Sequence, residues 1–196
     1  MSINATDLYE DGPAAGAKAK ILLIHFDGAI DAGGAGRMAI GQMLRSLHNE
    51  RVATFDADAL VDYRSHRPII TVEDWVSSPD MVMPQTVLDL VEDDMGNPIL
   101  VLHGAEPDAH WESFTNAISG ICERAGVEIT FSLHGVPSGV PHTRPTPVHV
   151  QATDASLLPA GGATIANHMQ FPAPLSTFVQ IRMGQRGMGG LALLGA

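Results

Sequence analysis

The chain has 196 residues, 45% hydrophobic and 17% charged, a composition that suits one globular domain with a sizeable core rather than a disordered tail. Twenty-two acidic residues against 11 basic ones give a net charge of −11. Such a surface repels phosphate backbones and anionic lipid alike, which excludes nucleic acid and membrane surfaces as partners.

The single cysteine, Cys122, cannot close an internal disulfide, and no Cys/His zinc spacing is present. Its place in a helical apolar rhythm marks it as a small buried hydrophobe. The N-terminus is polar and acidic, the opposite of a secretory signal, and no apolar run reaches the ~18 residues of a membrane span. A cytoplasmic location is expected.

Residues 1–18 lack periodicity and contain Gly12-Pro13 and an Ala/Gly stretch, which reads as a mobile arm. Residues 19–196 then read as a single α/β domain. The run Lys20 to Phe26, ended by Asp27-Gly28, is a fully buried strand of the kind a central parallel sheet needs. A helix follows over 34–49, with Met38, Ile40, Met43, Leu44 and Leu47 at helical spacing, and then a short strand over 51–55. Strand, helix and strand together suggest one βαβ unit.

Pro68 to Val72 reads as an edge strand. The apolar runs 86–91 and 98–102 flank Asp93-Asp94-Met95-Gly96-Asn97, which predicts a hairpin and therefore a mixed sheet. Asp108 is placed to cap a helix over 109–125 that Gly126 stops. Residues 127–133 alternate as a strand. A proline-rich loop leads to a strand over 148–151, a helix over 174–185 and a last strand at 191–194. A chain that stops on an apolar strand suggests a further C-terminal segment, since a covering helix normally follows.

Motifs for chemistry are mostly broken. Gly28 to Gly33 has the spacing of a phosphate loop, but Gly34-Ala35 stand where Lys and Ser/Thr would meet phosphate and magnesium. Gly34 to Ala39 fits a relaxed dinucleotide fingerprint, with Asp56 at about the distance of a ribose contact. Seven residues separate it from the strand, so a close-packed helix start is the better reading. Gly135-Val136-Pro137-Ser138-Gly139 has its serine one place late for a nucleophile elbow. His103, Glu106, Asp108 and His110 are the densest potential ligand cluster, yet Pro107 interrupts them and Asp108 has a capping role; no metal is assigned. No cofactor is expected. Arg64, Arg67 and Arg144 lie in loop-like segments, where a guanidinium fork can pin a carboxylate, most simply an internal one.

Several short motifs occur in order: Asp31-Ala32-Gly33, Phe55-Asp56-x-Asp58, Asp62-Tyr63-Arg64-x-x-Arg67-Pro68, Gly104-x-Glu106-Pro107-Asp108-x-x-Trp111-x-x-Phe114, and Pro141-His142-Thr143-Arg144-Pro145. Together they resemble the proteasome assembly chaperone 2 family, in particular its actinobacterial branch, over about residues 20–150. Gly28-Ala29-Ile30 departs from the glycine-plus-aromatic pair the family commonly carries there.

The resemblance implies a three-layer α/β sandwich of phosphorylase/hydrolase-like kind around a mixed, mostly parallel sheet. It also implies homo-oligomers, with a trimer as one size, and a chain that continues past residue 196. Relatives in eukaryotes and archaea act as assembly factors or partners of the proteasome. The leading expectation is therefore a non-enzymatic protein-binding or scaffold factor with a proteasome-related partner. The alternative is an enzyme or small-molecule binder whose pocket gathers Asp31, Asp56, Glu106, Asp108, His142 and Arg144 at the strand carboxyl ends.

Overall fold

The apolar run at 21–27 forms the strand on which the molecule is organised. In the computed structural model, which describes residues 3–28, 30–141, 143–159 and 168–195, ten strands and four α-helices follow one another in the chain. They are β1 (Tyr9–Asp11), β2 (Ile21–Asp27), α1 (Ala35–Ser46), β3 (Asn49–Phe55), α2 (Ala57–Leu60), β4 (Ile69–Glu73), β5 (Val76–Val82), β6 (Thr86–Glu92), β7 (Pro98–Ala105), α3 (Trp111–Ala125), β8 (Ile129–Gly135), β9 (Val148–Ala152), α4 (Leu175–Gly184) and β10 (Gly189–Gly195).

Eight strands make one mixed sheet in the order β1-β3-β6-β7-β2-β8-β10-β9. The central four, β7, β2, β8 and β10, run parallel. Antiparallel strands finish the sheet on both sides. The parallel strands read as continuous apolar runs because both their faces are covered.

Side-chain alternation sends the sheet's two faces into different cores. On one face Ile40, Met43 and Leu44 of α1 meet Leu23, Val91, Val101 and Leu133. On the other, Leu22, Ile24, Leu100 and Leu102 pack against Phe114, Ile118 and Cys122 of α3 and Leu175, Val179 and Met183 of α4. Burial pushes the Cys122 thiol up to about 12, so it behaves as a hydrophobe. The two helices are joined at their surface by Trp111 edge-on to Phe178, with the Arg182 guanidinium over the Phe178 ring and paired to Glu112. No helix among the described residues is long and apolar enough to cross a membrane.

Three local expectations are corrected. Within the expected arm, residues 5–8 form a 3-10 turn whose Leu8 is fully buried, and β1 pairs with β3. An apolar side chain every few residues is enough to dock a short segment where periodicity is too brief to register. The strands β2 and β3 share a direction but are not neighbours, because the β6–β7 hairpin inserts between them. That hairpin matches the sequence: the Asp93 carboxylate accepts from the Met95 and Asn97 amides, and Gly96 takes a φ of 80°. Finally, α3 begins at Trp111, with His110 at its cap position at a φ of 58°, so Asp108 does not cap it. Gly126 ends α3 at a φ of 86°, as expected.

Candidate functional site

Each predicted acidic residue is occupied by a backbone amide. Asp31 follows β2 and accepts from the amides of Gly36 at 2.8 Å, Arg37 at 3.0 Å and Gly135 at 3.1 Å. Burial alone would raise its carboxyl, but those amides and the neighbouring His25 outweigh it and hold the group below the ordinary range. Asp31 thus pins the first turn of α1 to the end of β8. The glycine-rich stretch beside it serves packing: a Cβ on Gly36 would lie 2.4 Å from His25 Nδ1, so only glycine lets α1 approach the sheet this closely.

Asp56 caps the short α2 through the amides of Asp58 and Ala59. The Glu106 Oε1 accepts from the Leu175 amide at 2.7 Å and holds the first turn of α4. Asp108 Oδ2 accepts from the Asp62 amide at 2.7 Å and the Ser65 hydroxyl at 2.9 Å, fastening the loop before β4. Arg64 folds back on Asp62, and that hydrogen-bonded guanidinium holds the Asp62 carboxyl down at about 2. Arg67 is exposed, and so is Arg144, whose amide donates to Pro141 in a turn. His142 lies outside the described residues.

Among the described residues, these groups do not form one pocket. The acidic residues are spread across β2, β3 and β7 as separate loop anchors, because carboxylates following strand ends are used first by the amides of the next element. The His103–His110 cluster separates in the same way: His103 turns to Asp89 at 2.8 Å while Glu106 and Asp108 serve different loops. Sequence reasoning missed Asp89, which is 5% exposed and also receives Arg51. Burial raises its carboxyl, and the hydrogen bonds from His103 and Arg51 overcome that and hold it low. The signal was a lone aspartate within the apolar run 86–91.

A cavity of about 590 Å³ lies at the carboxyl ends of β8 and β10. Its walls include Ile30, Val136, Phe171 and Leu194, and its polar groups include His134, His149, Gln151 and Thr177. Among the described residues, none of the predicted ones lines it. Beneath it runs a buried polar line between β8 and α4. Gln180 donates to the Leu191 carbonyl at 3.0 Å and Thr130 Oγ1 at 3.2 Å, and its carbonyl accepts from Ser132. Ser132 and Ser176 then meet the His134 ring. The signal here was the polar half of the alternation Thr130, Ser132, His134, which faces a helix rather than water.

A second feature stands apart from the sheet. The hairpin β4–β5 pairs Ile69 with Val82 and Ile70 with Met81, yet Ile69, Ile70, Val72, Val76, Met81 and Val82 are all more than half exposed. Its turn places Asp74 and Trp75 at φ values of 49° and 64°, and Trp75 is 98% exposed. Asn and Gly are the usual residues of such a turn.

This is a mixed-sheet α/β sandwich with a parallel core and an added hairpin. A PAC2 family model matches residues 25–196, and the chain belongs to that family. It is similar to a Mycobacterium tuberculosis protein of unknown function at 32% identity and a TM-score of 0.88, covering 96% of this chain and 65% of that one. It thus spans less than two thirds of that protein's length. A Corynebacterium glutamicum protein of unknown function matches at 29% identity and a TM-score of 0.85, over 96% of this chain and 71% of that one. A Mycobacterium tuberculosis proteasome-assembly chaperone homologue shares the fold at 22% identity and a TM-score of 0.80, over 90% and 74%. A search of curated proteins finds no match.

Proposed function

We propose that this chain is a cytoplasmic, non-enzymatic protein-binding factor of proteasome-assembly-chaperone type, working as a homo-oligomer toward a proteasome-related partner. The observation that carries the reading is the β4–β5 hairpin. A two-stranded hairpin is marginal in water by itself, and this one exposes aliphatic side chains along both strands. Contiguous apolar surface of that kind marks a protein interaction site. Its turn adds a bulky aromatic in the left-handed region, at a cost of about 1–2 kcal/mol. Strain kept in an exposed turn supports a role in contact rather than in stability. Family membership and the resemblance to a proteasome-assembly chaperone homologue support the class of partner.

The test is a photo-reactive amino acid at position 75, irradiated in the native cytosol, with mass spectrometry of the adducts. Adducts to proteasome components, alongside adducts to a second copy, support the reading. Adducts to this chain alone assign the hairpin to self-association and remove its support for a partner. No adduct at all refutes it.

A second reading, a small-molecule binder, is favoured by the cavity. Its volume falls within the roughly 300–1,000 Å³ of small-molecule sites, and it combines apolar walls with a few convergent polar groups.

A further inference from the structure

The two edges of the sheet are finished differently. At one edge β1 is three residues long and ends in Glu10-Asp11, so brevity and charge block further pairing. At the other edge β9 runs for five residues, Val148 to Ala152, in unbroken register with β10. From Pro145 to Thr153 the chain carries no Asp, Glu, Lys or Arg, in a protein whose net charge is −11. Charges, prolines and bulges are the usual guards of a free edge, and β9 contains none of them.

One bond fixes the direction of its backbone groups. The Thr153 amide donates to the Gly190 carbonyl at 2.9 Å, so by alternation Gln151 and His149 also direct their backbone groups to β10. Val148, Val150 and Ala152 turn theirs outward, and no backbone group among the described residues bonds them. The side chains divide in the same way. His149 and Gln151 line the cavity, while Val148, Val150 and Ala152 share the opposite face, where Val148 is 59% exposed.

An antiparallel copy of this strand is its complement in one register. With Val150 on a two-fold axis, Val150 meets the partner's Val150 and Val148 meets the partner's Ala152, and each outward amide and carbonyl of these residues is paired. Apolar side chains then lie together on one face. On the cavity face His149 meets the partner's Gln151 in a non-hydrogen-bonded pair, where side chains approach most closely. A carboxamide both donates and accepts, so it suits the imidazole in either tautomer. Sliding the copy by two residues sets His149 against His149, or Gln151 against Gln151, and leaves an outward residue of β9 without a partner from the other β9. We propose that β9 pairs with β9 of a second copy, continuing the sheet across a two-fold axis, and that the partner's Gln151 completes the cavity wall beside His149. The occupant is a second copy because the strand's own pattern is self-complementary and brings no charged side chain toward an equally acidic neighbour. This contact is separate from the β4–β5 hairpin, which forms a sheet of its own.

Single cysteines read the register, because the native Cys122 is fully buried with its thiol pushed up to about 12 and is inert. Under mild oxidation of the whole chain, Val150→Cys is expected to form a disulfide-linked dimer, since facing residues stand about 5.5 Å apart. Val148→Cys mixed with Ala152→Cys should do the same. Val148→Cys alone should react about tenfold more slowly, because its two copies lie about 13 Å apart along the strand. Val150→Pro removes an outward amide and keeps the ladder to β10; introduced into both chains of the mixed pair, it should abolish their disulfide and leave Tm within about 2 °C. Equal reaction of Val148→Cys alone, or no dimer from any variant, overturns the proposal and leaves the hairpin reading standing. Loss of the Val150→Cys dimer when residues 69–82 are replaced by Asn-Gly also overturns it, by assigning self-association to the hairpin. The cysteine series decides the matter even if Val150→Pro fails to fold.

Discussion

Replacing Gln180 by leucine tests whether the polar line between β8 and α4 is part of the framework. The side chain is 2% exposed and makes contacts to Leu191, Thr130 and Ser132. Leucine has a similar volume, so the cavity contribution is small. The loss comes from unpaired groups, each costing about 1–3 kcal/mol when buried. Thr130 keeps its bond to the Gly189 carbonyl and Ser132 keeps His134, so the penalty rests mainly on the Leu191 carbonyl and half of Ser132's pairing. A total of about 3 kcal/mol follows, equal to a fall in Tm of about 6–12 °C for a chain of this size. Calorimetric melting of Gln180→Leu measures it. Adding Ser132→Ala should cost less than the sum of the two single changes, because the residues share one bond. A Tm within about 2 °C of the parent, or strict additivity, would refute the reasoning.

Other perturbations have equally definite outcomes. Gly36→Ala should destabilise by about 1–3 kcal/mol in urea unfolding, since its Cβ would sit 2.4 Å from His25 Nδ1 and 3.0 Å from the Leu133 carbonyl. Trp75→Gly should leave stability unchanged or raise it by up to about 1 kcal/mol, because the left-handed turn no longer carries a Cβ; adducts from a photo-reactive group at neighbouring position 76 should nevertheless fall. Asp31 and Asp89 have carboxyls held below their ordinary value of 3.8 in the fold. Their contribution is therefore present above that pH and lost as pH falls through the depressed folded values. Asp89→Asn should lower Tm at neutral pH and flatten the acid limb of a Tm-against-pH series; parallel curves for parent and variant would count against it.

Apolar runs were the legible part of this fold. The runs 20–26, 98–102 and 191–194 announced strands that the fold extends to 21–27, 98–105 and 189–195, the Asp93–Asn97 turn announced its hairpin, and Gly126 announced the end of α3. Strand order was not legible, since nothing local in β6 and β7 says that they insert between β2 and β3. For the site, Asp31, Asp56, Glu106 and Asp108 were rightly placed after strands, yet each serves a backbone amide instead of a shared pocket. Periodicity marks Thr130, Ser132 and His134 as the polar half of a strand without saying whether that half meets water or Gln180. The hairpin also escaped, because only Pro68 to Val72 read as an edge strand and the polar residues up to Asp80 hid its partner β5.

The central claim is that this chain works by holding another protein through the β4–β5 hairpin. It is tested most directly by replacing residues 69–82 with a short Asn-Gly turn and comparing quantitative affinity capture from native cytosol with that of the parent chain. The account predicts an unchanged Tm and specific loss of proteasome-related proteins captured by the parent. Capture of the same proteins by both chains, or of none by either, would contradict it.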